Sequence, residues 1–403
     1  MEFSCLLIDL NGEGLADTWQ EATAAAEFAC PVHFAAGKDE ALQQLATTDV
    51  LVMAIFAKQN SPEISDLLTA FQKHVGCIAE FQAIVCDDPE PKFIAGVFEF
   101  GVEQFVAVGT WSEELAGVTR RALQLMSDSG SAEAKTVNLC RSIRSADQSA
   151  IQKAEAAIGD LAEYDYRAAF AKGKAYEATG EYGKAADVFA NAAGMNSMFR
   201  PSSTCLGESL LVTGRIDEAL AVFQKLEKTN PYNVERKANM AAAYVEKGEF
   251  EKAQMYVEAA AKLAPNSSKV LEARAQVLLC TGKVGDAFKL LDGMSDVGPF
   301  FAAKLNELGI QLSQAGKGKS ALALYQKAHR IVRPELRYKI SMNAALACRR
   351  LQAWDMALKF LARCEKEYGS TFPKLQKIRE SIAAARAQGA AAAAPTPKVD
   401  KAG

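Results

Sequence analysis

Histidine is nearly missing from these 403 residues: only His33, His74 and His329 occur. They lie far apart and share no ligand spacing with a cysteine or an acid, so a histidine-centred metal site is not expected. The nine cysteines are scattered and form no C-x-x-C pair. Several, such as Cys205, Cys280, Cys348 and Cys364, fall in helical stretches where a thiol serves as a small apolar filler. Disulfides would need an oxidising compartment that nothing here implies, so a reducing cytoplasm is expected. No apolar run approaches the ~20 residues of a membrane span. The start, MEFSCLLIDL, carries Glu2 and Asp9 and no basic leader, so a signal peptide is not expected. No P-loop, no G-x-G-x-x-G after a strand and no serine-centred elbow is found. These absences point away from an enzyme, a cofactor and a membrane protein.

What is present is a ladder of glycines. Gly180, Gly214, Gly248, Gly282 and Gly316 each fall 34 residues after the last. Seven residues before each rung lies a small residue (Gly173, Gly207, Ala241, Ala275, Gly309). Five after it lies an alanine (Ala185, Ala219, Ala253, Ala287, Ala321), and nine after it a large apolar residue (Phe189, Phe223, Val257, Leu291, Tyr325). A fixed period of this length marks a helical repeat array, whose units stack because none can bury its apolar face alone.

These residues resemble tetratricopeptide repeats, over 166–371 and about six units. The first unit reads Gly173, Tyr176, Gly180, Tyr182, Ala185, Phe189, Ala192, and the third ends in Pro265. The sixth departs from period: Ala357 follows Ala321 by 36, and Gln352 stands where the rung glycine belongs. The resemblance implies an all-α superhelical solenoid whose inner helices line a groove for a peptide or helix of a partner protein. Counted from unit starts at 166, 200, 234, 268, 302 and 338, it implies groove residues Arg167, Phe170, Lys174, Glu208, Asn239, Glu272, Gln276, Asn306, Asn343 and Arg349. Repeats that clamp a peptide's C-terminal carboxylate use Lys and Asn at set inner positions. Phe170 and Lys174 do not reproduce that clamp. Asn239, Asn306 and Asn343 are placed either to hydrogen-bond a bound backbone or to face solvent.

Ahead of the ladder, short β-rich runs (Phe3–Asp9, Val32–Ala35, Asp49–Phe56, Phe81–Asp87, Gln104–Gly109) alternate with helical stretches near 14–27, 39–46, 62–74, 91–100 and 112–126. That alternation predicts an α/β doubly wound parallel sheet over 1–127. The phrases AAGKDEAL (35–42), GVEQFVAVG (101–109) and SEELAGVTRRAL (112–123) resemble the flavodoxin-like (CheY-like) receiver domain of response regulators. A working receiver holds a divalent cation in an acid pocket and phosphorylates an aspartate. Here the resemblance leaves Asp9 followed by Leu10, Ala54 at the phosphoacceptor position, Cys86 or Asp87 at the hydroxyl position, and Val108 and Gly109 where a lysine precedes a proline. Asp9, Asp87 and Phe105 are the remnants. A pseudo-receiver is expected, used for a docking face of Phe93, Val97, Phe98, Phe105 and Trp111.

Between the two, SDSGSAEAK (127–135) has the composition of a flexible joint, giving a linker over 128–148. A helix is expected over 149–165, opened by a Ser145–Gln148 capping box, as a cap on the first repeat or else one helix of a decayed repeat. A C-terminal capping helix is expected over 372–388 and a disordered tail over 389–403. Residues 1–126 hold 19 acids and 6 bases, while the remainder is net +10. Either the acidic head and basic body attract each other and acidic partners, or two modules are separately tuned for solubility. The function expected is a non-catalytic adaptor in a bacterial signalling pathway, with a second partner on the receiver face and self-association left open. Its alternatives are a nucleic-acid-associated regulator using the basic array and a phosphorylation-responsive two-component regulator.

Overall fold

A computed structural model of the chain describes residues 3–11, 16–57, 63–75, 81–102, 104–145, 147–294, 297–332, 337–368 and 373–393. They form two compact units, one ending at Arg236 and one beginning at Lys237.

The first unit opens with five strands, β1 (Ser4–Asp9), β2 (Val32–Ala35), β3 (Val50–Phe56), β4 (Gln82–Val85) and β5 (Gln104–Val106). Between and after them lie α1 (Ala16–Ala25), α2 (Lys38–Thr47), α3 (Glu63–Val75), α4 (Pro91–Phe98) and α5 (Trp111–Ser127). The sheet is wholly parallel, in the order β2-β1-β3-β4-β5, which is a doubly wound order. Helix α1 packs beside α5, and α2 beside α3. Every residue of β1 and β3 is buried. Burial on both faces is why these strands read as unbroken apolar runs.

The expected joint at 128–148 is instead structured. Helix α6 (Ala132–Arg144) is capped by Ser131, whose Oγ accepts the Ala134 N–H at 3.1 Å. Its Val137 belongs to the sheet core, and its Leu139 to the core of the first repeat. The Arg141 guanidinium lies 4.5 Å from the Phe3 ring centroid, and Arg141 and Arg144 pair with Asp49 at 3.2 and 3.4 Å. Small and polar in composition, the segment has just enough apolar side chains to serve two neighbours, so it bridges rather than flexes. The expected capping box is also replaced. Ser145 ends α6, and Asp147 caps α7 (Gln148–Ile158) by accepting from Ser149 and Ala150 N–H at 2.9 and 3.2 Å. Ile151 and Ile158 of α7 share a core with Ala168 and Ala169, which gives the first repeat its cover.

Two helical hairpins complete this unit: α8 (Tyr166–Ala178) with α9 (Tyr182–Met195), and α10 (Arg200–Val212) with α11 (Ile216–Thr229). The boundary falls inside α12 (Val234–Glu246), which is followed by α13 (Phe250–Leu263). The second unit continues with α14 (Ser268–Cys280), α15 (Val284–Asp292), α16 (Pro299–Gln314), α17 (Gly318–Ile331), α18 (Arg337–Arg350) and α19 (Trp354–Tyr368). Helix α20 (Pro373–Ala393) then buries Leu375 and Ile382 in the core of this unit. It extends past the expected end at 388, into the stretch expected as disordered. Residues 394–403 of that stretch lie outside the described residues.

Each hairpin turns in the same way. The five rung glycines have φ between 73° and 80°, the left-handed region that only glycine enters without strain. The residue after each donates its N–H five residues back: Glu181 to Tyr176, Arg215 to Leu210, Glu249 to Tyr244, Lys283 to Leu278 and Lys317 to Leu312, at 2.8 to 2.9 Å. The sixth hairpin keeps both features without the glycine, with Gln352 at φ 57° and Ala353 donating to Cys348 at 2.9 Å.

The small residue seven before the rung follows the ring it meets. A Cβ placed on Gly173, Gly207 or Gly309 would overlap the ring of Phe189, Phe223 or Tyr325. Where the outer residue is aliphatic, as at Val257 and Leu291, the inner residue is alanine (Ala241, Ala275). Gly207→Ala is therefore expected to lower unfolding stability by about 1–3 kcal/mol, with Phe223→Leu recovering part of the loss in the double variant, as measured by urea unfolding. Gln352→Gly, which relieves a left-handed side chain, is expected to raise stability by about 1 kcal/mol. Thermal unfolding of the two proteins checks the sign.

Candidate functional site

In the first unit the inner-helix positions are already partly spent on the protein itself. Arg167, at the start of α8, pairs with Glu133 of α6 at 2.8 Å and Asp165 at 3.1 Å, which ties the bridge helix to the first repeat. Phe170 is not a groove residue: it is buried, with ring centroids 5.6 Å from Phe189 and 5.3 Å from Phe199. Lys174 is ion-paired with Glu177, whose other oxygen accepts from Ser209 Oγ at 3.2 Å. Burial opposes the charge on Lys174, but Glu177, Cys205 and Glu208 hold its ammonium well above the usual lysine range. Lys174, Glu177, Glu208 and Ser209 thus form one polar cluster across α8 and α10.

The second unit carries a longer polar track. Lys304 of α16 reaches Glu246 at the end of α12 (3.1 Å) and Glu307 on its own helix (3.1 Å), and Gln276 of α14 donates to Glu246 at 3.3 Å. Three successive inner helices are thereby linked. Asn343 of α18 donates to Asn306 of α16 at 2.8 Å, and Arg349 donates to Ser381 of α20. Asn239 is half-buried on α12. Gln276 and Glu272 are both buried, and Glu272 accepts the Gly298 N–H at 2.9 Å, so it braces a turn rather than facing a partner. Glu246 and Lys304 were not among the expected residues. Counting inner positions stops at Val245, and nothing in sequence marks a lysine that pairs with a carboxylate 58 residues away.

At the sheet, the residues expected as receiver remnants have structural partners. Asp9 ends β1, buried, and its Oδ1 accepts the Asn11 N–H at 2.8 Å. In register it lies opposite Phe56, while Ala54 is opposite Leu7 and fully buried inside the strand. The residue level with Asp9 is therefore Phe56 rather than Ala54, and neither carries a carboxylate. Asp87 accepts the Val108 N–H at 3.0 Å and joins the ends of β4 and β5. At the end of β3 and the starts of the flanking helices, Trp19, Phe56 and Trp111 pack on one another, tilted or edge to face, with centroids 4.2 to 6.0 Å apart. Doubly wound sheets bind ligands outside the carboxyl ends of their strands; here aromatic side chains occupy part of that space.

The expected docking face is mostly core. Phe93, Val97 and Trp111 are buried, and half-buried Phe105 meets the rings of Phe93 and Phe98 at 6.3 Å. The end of α4 is moreover closed by the end of the second repeat and the start of the third. Arg236 pairs with Glu99 at 3.1 Å and Glu227 at 3.1 Å, and its guanidinium also donates to the Asn230 carbonyl. The Arg236 and Glu99 side chains are 1% and 3% exposed. Asn230 and Asn233 add longer contacts to Ala95 and Glu99, both at 3.5 Å. Burial pushes the Glu99 carboxyl up, against the pull of Arg236 and Arg200.

Residues 210–277 match the family model of the tetratricopeptide repeat. No curated protein matches the chain. Among solved structures, MamA (AMB-1) is 22% identical over 38% of this chain and 92% of its own, with a TM-score of 0.32. A thermophilic tetratricopeptide repeat protein of Thermus thermophilus is 19% identical over 55% of this chain and 98% of its own, at 0.33. Yeast Tom70 is 13% identical over 77% and 67%, at 0.42. No helix among the described residues is long and apolar enough to cross a membrane.

Arg236→Ala leaves Glu99 and Glu227 crowded without their cation, and about 3–5 kcal/mol of stability is expected to be lost. Glu99→Gln, which leaves Arg236 with Glu227, is expected to cost only about 1 kcal/mol. Because the folded pKa of Glu99 is raised, its contribution to stability is greatest below its unfolded range and falls as pH rises through the folded one. Urea unfolding of wild type and Glu99→Gln between pH 4 and 7 is expected to show the difference between them growing toward acid. Residues 210–277 thus carry the tetratricopeptide repeat, and the same glycine turn recurs in the hairpins on either side.

Proposed function

We propose that the chain is a non-catalytic adaptor whose inner helices bind a segment of another protein, and that its sheet domain is a pseudo-receiver carried as a fixed module. Tetratricopeptide repeat proteins are in general protein–protein interaction adaptors, which supports this reading. The observation that carries the groove reading is the polar track of Glu246, Gln276, Lys304 and Glu307, continued by Asn306 and Asn343. Polar groups laid across successive inner helices, from buried Gln276 to exposed Glu307, offer a bound backbone hydrogen-bond partners in exchange for those they now share. The pseudo-receiver reading is supported by the doubly wound strand order and by Phe56 and Ala54 where a carboxylate is needed. Its place is proposed as a bacterial signalling pathway in a reducing cytoplasm, where the free thiols of the described cysteines persist. The α4 face, closed by Arg236, is not proposed for a second partner.

Affinity capture from the native cell, with Lys304→Glu and Asn343→Ala run beside wild type, tests the groove. Proteins retained by wild type and lost from the variants are expected, with far-ultraviolet circular dichroism unchanged. If no protein is retained, the adaptor reading fails; if the variants retain the same proteins, the groove is not the site. Incubation with acetyl phosphate is expected to leave the intact mass unchanged, and a phosphorylated species would remove the pseudo-receiver reading.

A further inference from the structure

The charge of this chain is placed at its two ends. Residues 317–386 hold 16 lysines and arginines against 5 acids, whereas 127–316 hold 22 against 24. The basic excess of the array thus belongs to α17 through α20. On α19, Lys359, Arg363 and Lys366 are exposed at spacings of four and three, one stripe facing away from buried Ala357, Phe360, Leu361 and Cys364. Lys377 and Arg386 of α20 are exposed as well, and α20 packs against α19. Met356 and Leu358, at 37% and 38% exposure, flank the stripe.

The sheet domain carries the opposite surface. Asp87 and Asp88 follow β4, Glu90 precedes α4, and Glu113 and Glu114 lie in the first turn of α5; all five are exposed. Val108 of the same edge is 49% exposed and donates its N–H to Asp87. The local field is felt by its neighbours: burial pushes the Cys86 thiol up, and Asp87 and Asp88 push it further. Within the first unit this domain packs on the repeats through α6 and α4, and the five carboxylates stay exposed beside those contacts.

We propose that the acidic sheet edge of one copy docks on the basic α19–α20 face of a second copy, giving salt-sensitive head-to-tail self-association. Each patch combines exposed apolar side chains with charge of one sign, as protein interfaces do. A phosphate backbone would make use of the cations but not of Met356 and Leu358. The two patches differ, so the contact is heterologous and propagates beyond a dimer.

Sedimentation velocity of the full chain over a concentration series tests this. Association is expected at about 50 mM salt and should weaken at least tenfold by about 0.5 M, where screening shortens the reach of surface charge. The triple variant K359E/R363E/K366E and the triple variant D87K/D88K/E90K are each expected to be monomeric alone. Their equimolar mixture is expected to associate again, because one supplies the acidic edge and the other the basic face. Thermal unfolding confirms that both are folded, and the neutral set K359Q/R363Q/K366Q, also expected to be monomeric, replaces the reversal if it is not. A chain that stays monomeric throughout, or association indifferent to the reversals, overturns the proposal. So does salt-sensitive binding of a duplex DNA probe, lost in K359E/R363E/K366E, by a wild type that does not self-associate.

Discussion

The close crossing of the two helices in each hairpin is the constraint on which the array depends. Phe189, Phe223 and Tyr325 are each buried, worth about 2–3 kcal/mol apiece, and each ring lies where its partner helix has no side chain. Alanine at 241 and 275 serves the smaller Val257 and Leu291, so the separation of inner and outer helix is set pair by pair. That separation fixes where the inner helices run, and so allows Lys304 to reach a carboxylate on α12. The positions that fix the fold and those offered for binding are therefore different residues on the same helices.

The second organising feature is the attachment of the sheet domain to the first repeats. Helix α6 contributes Val137 to one core and Leu139 to another, and Arg236 closes on Glu99 from the far side of the second hairpin. A buried ion pair of this kind adds little net stability, since desolvation offsets most of its attraction. It does select one arrangement, because any other leaves Arg236 or Glu99 buried alone. The sheet domain thus covers the array's first repeats, together with α7, and does not swing on a tether.

Much of this was legible in the sequence, and the failures have physical causes. The glycine ladder gave the turns, and the apolar runs gave the strands, because both depend on local chemistry. Helix α6 was hidden because its few apolar residues are divided between two neighbours, which leaves a polar composition. The Gln352 turn was hidden because the hydrogen bond from Ala353 to Cys348 holds a left-handed backbone that the residue type does not announce. At the groove, spacing located the inner face but not which side chains were already engaged. Phe170 turned into the core, Glu272 took a backbone N–H, and Asn306 and Asn343 bonded each other. Arg236 meets an acid 137 residues away, a pairing no local pattern contains.

The central claim is that the inner helices bind protein, and in-cell photo-crosslinking tests it most directly. A photoreactive phenylalanine analogue placed at Asn239, Lys304 or Asn343 is predicted to capture a distinct protein partner, while the same residue at exposed Met255 on α13 captures none. Adducts confined to Met255, or no protein adduct at any groove position, would contradict the account.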